Sequence, residues 1–178
     1  MIRLLSCFFI IRLLSFSAIA QENKTGIPIP MKNGIVFYEK AFVAAESISK
    51  IEMLARIEKW FRTSFPGSKE KITVDPATGT VSSKGVFKII TDDATGHYYW
   101  IKPTISIIVK EDSCIFQSYK YYEKPVMPGV TNDYSKIEYR WWDFRKGKPW
   151  NKEDEALFKG LDAQTLSVIS SFEAVLKK

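Results

Sequence analysis

From Tyr98 to Lys110 the chain reads YYWIKPTISIIVK, with Tyr99, Ile101, Ile105, Ile107 and Val109 on one phase and Tyr98, Trp100, Lys102, Thr104 and Ser106 on the other. Period two over this length predicts a strand with one buried and one wet face. A half-wet strand belongs to an antiparallel sheet, because parallel sheets are covered on both sides. Neighbouring segments supply the rest of that sheet. IVFYEKAFV (Ile35 to Val43) is rich in β-branched and aromatic residues and short enough for a strand. Ile72 to Val74, the turn Asp75-Pro76-Ala77-Thr78-Gly79 and the run Thr80 to Ile90 form a hairpin, with Val81, Phe87 and Ile89 on one face and Ser82, Lys84 and Lys88 on the other. Cys114 to Tyr122 reads as a further strand with aromatics on both phases, and Lys136 to Phe144 as a short one. Between these two lies a loop, Glu123 to Ser135, marked by Pro125, Pro128, Gly129 and Asn132.

Two helical regions accompany the strands. Ser49 and Glu52 make a capping box, Met53, Leu54, Ile57, Trp60, Phe61 and Phe65 recur at helical spacing, and Pro66-Gly67 ends the run. Near the C-terminus a weak segment spans Lys152 to Lys159, and a second helix starts at Asp162 and runs through Leu166, Ile169, Phe172 and Val175. The fold class is α+β, in the order β-α-β-β-β-(β)-α.

The first 20 residues have a different character. Arg3, an apolar centre and Ala18-Ile19-Ala20 reproduce the three-part order of a secretory signal peptide. A membrane anchor fits less well. A spanning helix needs about 20 apolar residues; Leu4 to Ala20 is shorter, and Arg12 interrupts it at a cost of about 2.5–3.5 kcal/mol for a central Arg. Residues 21–33, QENKTGIPIPMKN, read as an extended linker, and residues 34–178 as one domain. Export to the periplasm or the extracellular space is therefore expected, with no transmembrane anchor after cleavage.

The charge excess is +6, and two of those charges, Arg3 and Arg12, would leave with the signal. The remaining cations alternate with acids, as in Lys50/Glu52 and Lys69/Glu70/Lys71, where nucleic-acid binders concentrate theirs in a stripe. No nucleic-acid partner is expected. Only Cys114 survives cleavage, so packing rather than a disulfide must hold the domain.

The pattern resembles the exported Bacteroidota domain-of-unknown-function family with a TBP-like fold. The resemblance rests on Ser49 to Trp60 (SKIEMLARIEKW), Asp75 and Gly79 in the turn, Val81, and the step Lys84-Gly85-Val86-Phe87. The family often carries Tyr where this chain has Leu54. The resemblance implies a curved antiparallel sheet with helices on one face, and it implies no catalytic residues.

The single histidine, His97, starts a strand beside Gly96, and Cys114 lies mid-strand with no activating charge nearby in sequence, so both read as structural. One His and one mature Cys do not make a Cys/His zinc site, Asp92-Asp93 reads as turn chemistry, and no nucleotide-loop or nucleophile-elbow sequence occurs. No catalytic, metal or cofactor residues are assigned. Aromatic clusters remain: Tyr98-Tyr99-Trp100, Tyr119 with Tyr121-Tyr122, and Trp141-Trp142. Adjacent strand residues face opposite ways, so each cluster sends a ring off the core. Tyr98, Trp100 and Trp142, with Arg140 beside them, are the expected binding surface for an envelope protein, a glycan or a small ligand. The alternative is a hydrolase-type enzyme with an acid-based site.

Overall fold

A computed structural model describes residues 29–43, 48–66, 68–111, 113–142 and 151–177. The segment read as a signal peptide and most of the linker lie outside them. The linker's last residues belong to the fold: Ile29 is buried, and β1 (Met31–Lys32) pairs with β2 (Ile35–Val43).

All strand pairs are antiparallel, and the sheet is curved and unclosed. Its central strands are β6 (His97–Val109) and β7 (Ser113–Val126). One edge of β6 is shared by β4 (Thr80–Lys84) and β5 (Phe87–Asp92), so the long return strand expected over Thr80 to Ile90 is two strands. They part at Gly85, whose N–H reaches the carbonyl of Pro103 at 3.0 Å. Any Cβ at Gly85 would crowd Ile105 (2.9 Å) and the ring of Phe65 (3.1 Å). Short β3 (Thr73–Asp75) pairs with β4. β7 runs four residues further than expected; its other edge is taken first by β2 and then by β8 (Ser135–Lys136).

Two bulges interrupt this sheet. Opposite Pro103, which has no N–H to give the ladder, β7 carries one extra residue: Lys102 pairs with Tyr122 but Thr104 with Tyr119, and Lys120 takes φ +52°. The buried phase of β7 therefore switches from Cys114, Phe116 and Ser118 to Tyr121 and Glu123. On β5 an extra residue at Thr91 separates the pairs Ile90/Tyr98 and Asp92/His97.

Both long helices cover the same face of the sheet. α1 (Lys50–Ser64) starts at Ser49, whose Oγ accepts from Glu52 N at 3.2 Å; the Glu52 carboxylate turns to Arg56 at 2.6 Å instead of completing the box. It buries Met53, Leu54, Ile57, Trp60 and Phe61, the stripe read from the sequence. Trp60 stacks edge-on against Phe61 (4.9 Å) and Phe172 (5.3 Å), and its indole N–H reaches Ser171 Oγ at 3.1 Å. Burial of rings this size is the main stabilising contribution here.

The C-terminal region is one helix, α3 (Lys152–Leu176), where two segments are expected, and Asn151 with Asp154 caps it. Gly160, which suggests a break, is a point of close approach: a Cβ there would overlap Ile89 Cγ2. Asp162, where a second helix is expected to start, lies inside this one and accepts a hydrogen bond from the Tyr38 hydroxyl at 3.0 Å. The strand expected over Lys136 to Phe144 is also corrected. After β8 the chain coils into the short helix α2 (Tyr139–Trp142). Glu138 accepts from Val36 N at 3.0 Å and Arg140 turns inward to two carboxylates, and these buried bonds override the strand preference of Tyr-Arg-Trp-Trp.

Candidate functional site

Among the described residues, neither α1 nor α3 lies on the second face of the sheet. Below the Lys120 bulge this face is ordered in rows, because directly opposed residues of antiparallel strands share a face with Cβ atoms about 4.5–5.5 Å apart. One row is Lys88–Trp100–Lys124, across β5, β6 and β7. The next is Lys102–Tyr122–Lys136, across β6, β7 and β8. Each row places an aromatic ring between two lysines. The Tyr98 ring stands edge-on to Trp100 at 5.9 Å, and Lys88 Nζ lies 4.0 Å from the Tyr98 centroid. From the loop after β7, Tyr134 brings its ring to 4.5 Å from Lys102 Nζ and 5.5 Å from Lys124 Nζ.

Glu70 is the acid of this region. It accepts from Lys102 at 2.9 Å, lies 3.8 Å from Lys84, and has its carboxyl held below the usual range chiefly by the Lys102 hydrogen bond. The rows end at an open cleft of about 400 Å³ between the β5–β6 turn and the loop after β7, walled by His97, Tyr98, Pro125, Val126, Met127 and Val130. Above the bulge one further row, Phe37–Tyr119–Thr104–Lys84, still carries rings and a lysine, and beyond it the same face changes character: Glu39–Gln117–Ser106–Ser82 and Ala41–Ile115–Ile108–Thr80 contain no lysine. There Gln117 Nε2 donates to Glu39 at 2.7 Å.

Tyr98 and Trp100 thus sit together, half-buried, on the face expected for them. Arg140 does not join them. Its Nε donates to both carboxylate oxygens of Glu123 at 2.7 Å, its Nη1 to Asp154 at 2.8 Å, and its guanidinium lies 4.7 Å over the ring of Tyr99, on the helix-covered side. Burial opposes its charge, but the Glu123 carboxylate more than compensates, so its pKa is raised. Burial pushes Glu123 up against the pull of Arg140. Tyr99 is pushed up to about 12, first by burial, and donates to Glu153 at 3.0 Å. The arrangement clamps α2, β7 and the start of α3 together. Trp142 ends α2, and its side chain lies outside the described residues.

His97 stands on the rim of the cleft. Cys114 is buried, and burial raises its thiol to about 11, which disfavours the reactive thiolate. Among the described residues no group of three or more His, Cys, Asp or Glu is placed to hold a metal, and no helix is long and apolar enough to cross a membrane. The sequence reading missed Lys88, Lys124, Tyr122 and Tyr134. Their types are visible as Lys and Tyr on the wet phase, but their association depends on both bulges.

No protein-family model matches the chain, and no curated protein does. Solved structures share its fold. A TBP-like protein from Parabacteroides distasonis superposes with a TM-score of 0.61 at 17% identity, covering 82% of this chain and 97% of that one. A DUF4468 family protein from Bacteroides ovatus gives a TM-score of 0.58 at 18% identity, covering 81% and 90%. At these identities the likeness speaks to architecture, and it agrees with the resemblance drawn from the helix and hairpin residues: the chain has a TBP-like α+β fold.

Proposed function

We propose that this chain is an exported, non-catalytic binding domain that holds its partner on the open sheet face, on the rows of Trp100 and Tyr122. In this reading residues 1–20 are the signal peptide, residues 21–28 lead from it to the domain, and the partner is met in the periplasm or outside the cell. The observation that carries it is the placement of rings on the uncovered phase, each between two lysines. Core packing does not call for them there, and Trp and Tyr are over-represented among residues that dominate binding energy.

What the reactive groups are engaged in supports binding over catalysis. Glu123 and Asp154 are 4% and 1% exposed and bonded to Arg140, so the acid-based hydrolase alternative would have to reach carboxylates that already hold the fold together. Cys114 is buried.

The test compares immobilised wild type with the variant Trp100→Ser/Tyr122→Ser, each exposed to an envelope fraction of the producing cell. The wild type is expected to retain material that the variant loses, with both proteins equally folded by circular dichroism. Equal retention, or turnover of a substrate that survives both substitutions, overturns the reading. Export is checked by mass spectrometry of the mature N-terminus, expected at Gln21.

A further inference from the structure

We infer that the partner held by these rows is an anionic glycan in which carboxylate-bearing sugars alternate with neutral ones; this rests on the binding reading above. The first argument is charge. Among the described residues Lys88, Lys124 and Lys136 make no ion pair, and their ammonium groups lie instead near the rings of Tyr98, Tyr134 and Tyr139 at 4.0, 5.5 and 6.0 Å. Three unpaired cations on one side of a sheet, with Glu70 already held by Lys102, call for an acidic occupant.

The second argument is how the rings are spaced. A dry protein interface has a core depleted in charge, and Lys in particular is scarce there. Here Trp100 and Tyr122 each lie between two lysines of their row, and the apolar surface, Ile90–Tyr98–Val126 with Met127 and Val130 of the cleft, is confined to the turn side of Trp100. A sugar ring stacks on one aromatic face at a time, and its carboxylate and hydroxyls reach the flanking ammoniums.

The third argument is where the charge stops. The two charged rows lie about 7 Å apart along the strands, and beyond them the surface passes into the cleft lined by Tyr98, Val126 and Met127, with exposed Asp92 and Asp93 on the neighbouring turn. A densely charged nucleic acid continuing past the rows would meet those acids. A polymer of mixed anionic and neutral sugars sets its carboxylates on the rows and a neutral sugar in the cleft.

The experiment measures retardation of the purified chain in native gels containing hyaluronan, polygalacturonate, dextran, poly-glutamate or oligothymidylate, with titration calorimetry for any that retard it. Hyaluronan, in which carboxylate-bearing and neutral sugars alternate, is expected to bind at least tenfold more tightly than polygalacturonate, which is charged at every sugar, and dextran is not expected to bind. Lys88→Gln/Lys124→Gln should weaken that binding at least tenfold, as should Trp100→Ser. The charge-matched control Lys59→Gln/Lys152→Gln, on exposed helix positions, should change it less than twofold. The inference is overturned if hyaluronan does not bind, if polygalacturonate, poly-glutamate or oligothymidylate binds as tightly, or if the control pair weakens binding as much as the row pair. Should the glycans fail while Trp100-dependent retention from the envelope fraction persists, the glycan assignment falls and the binding reading stands. Should that retention be absent too, both fall.

Discussion

The two faces of the sheet use the same residue types to opposite ends. On the covered face Trp60 is 3% exposed and meets Phe61, Phe65, Phe116 and Phe172 at ring separations of 4.9 to 6.3 Å, so its neighbours are other rings. On the open face Trp100 is half-buried, touches one ring, Tyr98, and is flanked by Lys88 and Lys124. A ring among rings removes apolar area from water and sets stability. A ring among lysines keeps part of its surface wet and available. The difference predicts that substitutions on the two faces separate into stability effects and binding effects.

The largest expected effect is on the covered face. Trp60→Ala should lower stability by about 3–5 kcal/mol, a major loss against the roughly 5–15 kcal/mol of an ordinary domain; a urea melt that overlays the wild type would show that the inner cluster is not the core. Next comes the clamp beneath the rows. Arg140→Met leaves Glu123 and Asp154 without their shared cation and should destabilise by about 3 kcal/mol, the lower end for a broken buried pair because Arg140 is 15% exposed. Adding Glu123→Leu should recover part of that loss in the same melt. No recovery would mean that Arg140 acts through packing alone.

Trp100→Ser sharpens the contrast from the other side. It should move the urea midpoint by less than about 1 kcal/mol equivalent, near the range of ordinary surface substitutions, while abolishing retention of the partner. A loss as large as that of Trp60→Ala would place this ring in the core and erase the distinction between faces.

The smallest effect concerns an exposed pair on the periphery. Glu173 is held at about 2 by hydrogen bonds from Lys177 and then Lys40, below its ordinary 4.5. Its folded pKa is depressed, so the unfolded chain binds the proton more readily; the stabilisation is present above pH 4.5 and is lost as pH falls toward about 2. The melting-temperature difference between wild type and Lys40→Ala should therefore shrink over that interval, and salt should shrink it too, since both side chains reach solvent. A difference that grows on acidification would contradict the assignment.

Much of the covered face is legible in the sequence, because local periodicity and capping express it directly. The stripe from Met53 to Phe65 and the alternation of Tyr99, Ile101, Ile105, Ile107 and Val109 reappear as buried residues. The open face is only half legible. Tyr98 and Trp100 fall on the wet phase as expected, but the rows that give them lysine neighbours depend on extra residues at Thr91 and Lys120. Counting through a regular ladder from the β6–β7 turn sets Glu123 opposite Trp100, and counting from the β5–β6 turn sets Ile89 there, so each count inverts the register. Arg140 was misplaced for a different reason. Strand alternation puts it outward, whereas two distant carboxylates, Glu123 and Asp154, draw the segment into a helical turn. Continuity through Gly160 was likewise hidden, since it reflects the nearness of Ile89 and not the helix's own composition.

The extra residue at Lys120 also governs how such a chain can vary. Ironing the bulge flat with Lys120 retained would carry Tyr122 and Lys124 inward and bring Tyr121 and Glu123 to the surface, whereas deleting Lys120 would set Tyr121 opposite Pro103 and leave both rows in place. Substitutions at Lys88, Trp100, Tyr122 or Lys124 leave that frame intact. The bulge therefore protects the scaffold against changes in length while leaving the rows below it open to replacement one side chain at a time, so descendants of one such fold can diverge in what they hold without first relearning how to fold.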